Sequence, residues 1–105
     1  MRRRAAPVPF DHPLCVLFSS GTTGLPKPIV HGHGGILLEG YKNLGLSWDL
    51  QPGDRLLWFS TTAWMMWNAL VTSLLHRASI VMIDGNPAYP ELSMQWRTAG
   101  ETRTS

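Results

Sequence analysis

Residues 19–27 read Ser-Ser-Gly-Thr-Thr-Gly-Leu-Pro-Lys and follow directly on the apolar run Leu14-Cys15-Val16-Leu17-Phe18. A strand that delivers a glycine- and hydroxyl-rich loop closed by a lysine constrains this chain more than any other feature. Its eight specified positions coincide by chance on the order of once per billion start points at ordinary residue frequencies. Gly21 and Gly24 lack a Cβ, so the backbone there can take positive φ and turn its N–H groups inward. That geometry makes a nest for an anion. Ser19, Ser20, Thr22 and Thr23 add hydroxyl donors, Lys27 adds a mobile ammonium, and Pro26 stiffens the exit. Hydrogen bonds to charged partners contribute roughly 1.5–3 kcal/mol each, so a few of them aimed at a triphosphate give usable affinity. A plain surface turn is the competing explanation of such a composition.

Two familiar phosphate loops are excluded. A Walker A motif needs Gly-Lys-Ser/Thr in succession, whereas Leu25 and Pro26 separate Gly24 from Lys27. Gly32, Gly34 and Gly35 lack the Gly-x-Gly-x-x-Gly spacing of a dinucleotide site.

The remaining pattern is α/β. Leu14–Phe18 reads as a strand, and Ile29–His31 continues extended after Pro28. Ile36, Leu37, Tyr41 and Leu44 recur at helical spacing after Gly34-Gly35. Gln51-Pro52-Gly53-Asp54 is a turn and Arg55–Ser60 a buried strand. Thr61 or Thr62 is expected to cap a helix from about Trp64 to His76, apolar nearly all round and therefore buried. Ser79–Asp84 is a further strand closed by Gly85-Asn86-Pro87, and Glu91–Ala99 starts a last helix.

Charged residues make up 15% of the chain against an average near 25%, which suits a piece mostly interior to something larger. The formal charge of +2 comes largely from Arg2, Arg3 and Arg4, so no distributed basic patch supports a nucleic-acid or membrane partner. The Trp64–His76 stretch is too short for a bilayer that needs roughly 20 apolar residues. A single cysteine, Cys15, points to a reducing, cytoplasmic setting and to a core position in its strand. His31 and His33, two apart in an extended segment, could face one side with His12, yet their spacing matches no zinc pattern and no metal site is expected. Trp58 and Trp67 read as core residues, Asp54 and Asp84 as solvated turn residues. Trp64, at the start of its helix, is the one aromatic side chain assigned to a substrate pocket.

The run Ser19–Lys27 resembles the phosphate-binding signature of the adenylate-forming superfamily, which includes acyl-CoA synthetases, luciferases and nonribosomal peptide adenylation domains. The similarity extends over Phe10-Asp11-His12-Pro13-Leu14, Ile29–Glu39, Asn43–Leu46, Trp48-Asp49-Leu50, Pro52–Arg55 and Trp64–Asn68, where the chain looks like the acetoacetate–CoA ligase branch. Cys15 stands where that branch has tryptophan, Pro28 where it has alanine or glycine, and Ala63 where it has glycine. The resemblance implies part of an AMP-binding N-terminal domain over residues 9–99, with 1–8 and 100–105 as unmatched, disordered ends. It implies activation of a short carboxylic acid: the carboxylate attacks the α-phosphate of ATP to give acyl-adenylate and pyrophosphate, then coenzyme A displaces AMP. ATP, coenzyme A and the acid are the implied small-molecule partners, with Mg²⁺ held by a ligand outside this chain. Ser19, Ser20, Gly21, Thr22, Thr23, Gly24 and Lys27 would hold the phosphates, Lys27 as the catalytic cation, and the region of Trp64 would border the acyl pocket. The family's catalytic domain is several times longer than 105 residues. The chain is therefore expected to be a fragment, inactive alone, with the remainder of the enzyme missing. A phosphate-binding module without ligase activity and a non-functional truncated product are the alternatives.

Overall fold

A computed structural model describes residues 5–20 and 24–105. They fall into two compact units, Met1–Glu39 and Gly40–Ser105.

The first unit is a β-hairpin leading into a helix. Strands β1 (Pro13–Ser19) and β2 (Lys27–Gly32) pair antiparallel, with Val16 opposite Val30, Leu17 opposite Ile29 and Ser19 opposite Lys27. Branched and aromatic side chains such as Val16, Phe18, Ile29 and Val30 favour this pleated surface. Pro28 is tolerated because a two-stranded ribbon leaves each strand one edge without pairing demands. Strand β2 runs directly into α1 (His33–Lys42), so the extended segment ends before His33 rather than carrying both histidines along one side. The N–H groups of His33 and Gly34, which have no partner inside the helix, donate to the carbonyls of His12 (2.9 Å) and Phe10 (2.8 Å). Gly34 permits that approach, since a Cβ there would lie 2.1 Å from the Phe10 ring.

In the second unit α1 passes into a π-helical turn, Asn43–Ser47, which turns Leu44 inward. Leu44, Leu50 and Ala78 form the core, with Leu56 packed against them. The Gln51–Asp54 turn forms as expected: the Asp54 N–H donates to the Gln51 carbonyl and Gly53 takes φ +96°. Asp54 is more than a solvated turn residue, because its carboxylate accepts the Gln51 N–H at 2.7 Å and the Ser105 hydroxyl at 3.2 Å. Strands β3 (Arg55–Leu57) and β4 (Ser79–Val81) pair in parallel, Arg55 with Ser79 and Leu57 with Val81. Both are shorter than the periods Arg55–Ser60 and Ser79–Asp84, because parallel pairing lasts only while both chains stay in register.

Between them α2 (Met65–Thr72) tightens into a 3₁₀ turn, Ser73–His76. Neither Thr61 nor Thr62 caps α2 with its hydroxyl. Trp64 occupies the cap with an extended backbone, and the Thr61 carbonyl accepts the Trp64 N–H at 3.1 Å. The all-round apolar helix is also not all-round buried, since Leu70 is the single buried residue of α2. In the turn that follows, the buried Ser73 hydroxyl donates to the Leu70 carbonyl. His76 Nε2 lies 2.9 Å from the Tyr41 carbonyl, and its ring stacks on Tyr41 at 4.2 Å. Helix α3 covers Met94–Thr102, later than the Glu91 start read from the sequence, with Glu91 held outside it in an ion pair to Arg97. Beyond α3 the Ser105 N–H donates to the Arg55 carbonyl at 3.0 Å.

Candidate functional site: a loop closed by a serine and a lysine

The loop hangs from the end of the hairpin. Because Ser19 closes β1 and Lys27 opens β2 in register with it, the two side chains sit about 5 Å apart across the ribbon. Ser20 and Gly24 lie in the exposed connection, and Gly21, Thr22 and Thr23 lie outside the described residues. Among the described residues, the side chains of Ser19, Ser20 and Lys27 form no hydrogen bond or ion pair, which leaves their donors available to a ligand. Lys27 is the one lysine or arginine between residues 5 and 41. A Cβ at Gly24 would meet nothing within 4 Å, so its place in the loop is open to solvent.

Trp64 belongs to the second unit. It is 71% exposed and borders a cavity of about 300 Å³ with Trp58, Phe59, Ser60, Thr61 and Met66. Trp58, read as core, stacks on Trp48 with ring centres 6.0 Å apart, is itself exposed and forms a wall instead, while Trp67 is half-buried in α2. Phe59 and Met66 were not singled out by sequence; Phe59 lines the same cavity as its neighbour Trp58. Cys15 is free and half-buried in β1, opposite His31. His33 Nδ1 lies 2.8 Å from the His12 carbonyl and the two rings are 5.5 Å apart, so these histidines tie the chain before β1 to the start of α1. Among the described residues no group of three His, Cys, Asp or Glu side chains is placed to hold a metal. No helix among them is long and apolar enough to cross a membrane.

One unit holds an antiparallel hairpin and the other a parallel strand pair with a helical crossover, which is an α/β class of structure. The AMP-binding enzyme family matches residues 2–103, and the chain belongs to it. The chain is 45% identical over 89 residues to acetoacetyl-CoA synthetase of Gallus gallus, a match covering 85% of this chain and 13% of that protein. It is 50% identical over 82 residues to malonamoyl-CoA synthetase of Penicillium aethiopicum, covering 78% and 11%. Among solved structures it superposes on acetoacetyl-CoA synthetase from Streptomyces lividans with TM-score 0.87 and 59% identity, over 92% of this chain and 15% of that one. The chain thus spans about an eighth of the length of the curated relatives it matches.

Proposed function

We propose that this chain supplies the ATP phosphate-binding loop of an acid–CoA ligase that activates a short β-keto acid, acetoacetate, in the cytoplasm. The observation that carries the reading is the pairing of Ser19 with Lys27 at the base of the loop. Their free donors fit a polyanion held in the connection between them. The donors around Lys27 hold the β- and γ-phosphates, and the ammonium stabilises the charge that develops on departing pyrophosphate. That role is electrostatic and asks for little covalent chemistry from the protein. Bound ATP supplies the activated α-phosphorus that the carboxylate attacks. The ligands of magnesium, adenine, ribose and coenzyme A are assigned to the longer enzyme. The apolar wall around Trp64 borders the acyl group. Similarity at 59% identity to the acetoacetyl-CoA synthetase of Streptomyces lividans favours acetoacetate.

The test grafts residues 9–99 into the Streptomyces lividans enzyme. Lys27→Ala in the graft should slow ATP–pyrophosphate exchange by about 10²-fold, a loss of about 2.7 kcal/mol of transition-state stabilisation. An unchanged exchange rate removes Lys27 from the mechanism. The parent graft should show higher kcat/KM for acetoacetate than for butyrate or acetate, and a preference for butyrate would sink the substrate assignment.

A further inference from the structure

We draw no further inference here: the strongest candidate, the cavity of about 300 Å³ in the second unit between Trp58, Ser60, Thr61, Trp64 and Met66, belongs to the acyl site already described.

Discussion

Among the described residues of the first unit no side chain is buried, whereas the second contains Leu44, Leu50, Leu70 and Ala78, all nearly out of water. The hairpin that carries the loop after Ser19 is held by main-chain pairing and leaves Phe18 67% exposed and Val30 60% exposed. A two-stranded hairpin is marginal in water by itself. The loop therefore sits on the part of the chain that contributes least to its own stability, and the core sits where no phosphate contact is assigned. A loop carried on such a hairpin depends on cover that the hairpin itself does not provide.

The largest expected effect separates the isolated chain from the graft. With ATP, magnesium and acetoacetate the isolated chain should give no acyl-hydroxamate above background and should bind a hydrophobic dye at its exposed apolar faces. Product from the isolated chain would erase the contrast, since the uncovered hairpin would then suffice. Next in size, Leu44→Ala should cost about 2–5 kcal/mol in urea unfolding through lost burial and the cavity left behind, against under about 1 kcal/mol for Val16→Ala on the open hairpin. Equal losses would mean that both units are held in the same way. Gly45→Ala should cost roughly 1–3 kcal/mol by overpacking, because its new Cβ would meet His76 Cε1 at 2.8 Å. Altered His76 ring resonances, read by NMR, should accompany that loss, and a neutral Gly45→Ala would show that the imidazole can give way. The smallest effect is a gain. Arg77 closes the 3₁₀ turn at φ 59°, a left-handed conformation that glycine adopts without steric cost, so Arg77→Gly should raise stability by up to about 1 kcal/mol. A lower Tm for that variant would mean the arginine side chain contributes more than its backbone costs.

The loop stands out in the chain because Ser19 through Lys27 carry glycine, hydroxyl and lysine residues in one continuous run. The α/β class and the existence of each element were legible for a similar reason, since periodicity and turn residues act over a few positions. Boundaries were less so. Arg55–Ser60 and Ser79–Asp84 have strand composition throughout, but pairing stops at Leu57 and Val81. Side-chain preference does not record where a distant partner diverges. The Trp64–His76 helix misled in another way: an apolar sequence reports that a surface needs cover and not that this chain supplies it, and only Leu70 of α2 is buried.

What the sequence alone determined is therefore local chemistry: a hydroxyl- and lysine-bearing loop after a strand, a turn over Gln51-Pro52-Gly53-Asp54, and helices where apolar residues recur. What only the tertiary structure decided is pairing across distance. It set Ser19 against Lys27, which closes the loop at its base. It joined Arg55–Leu57 to Ser79–Val81 across an intervening helix and laid Ser105 on the opposite edge. It also brought the His76 imidazole onto the carbonyl and ring of Tyr41. The physical reason is that torsional preference and turn chemistry are properties of neighbouring residues, while registers and stacks are chosen by the free energy of contacts between segments that no local pattern encodes.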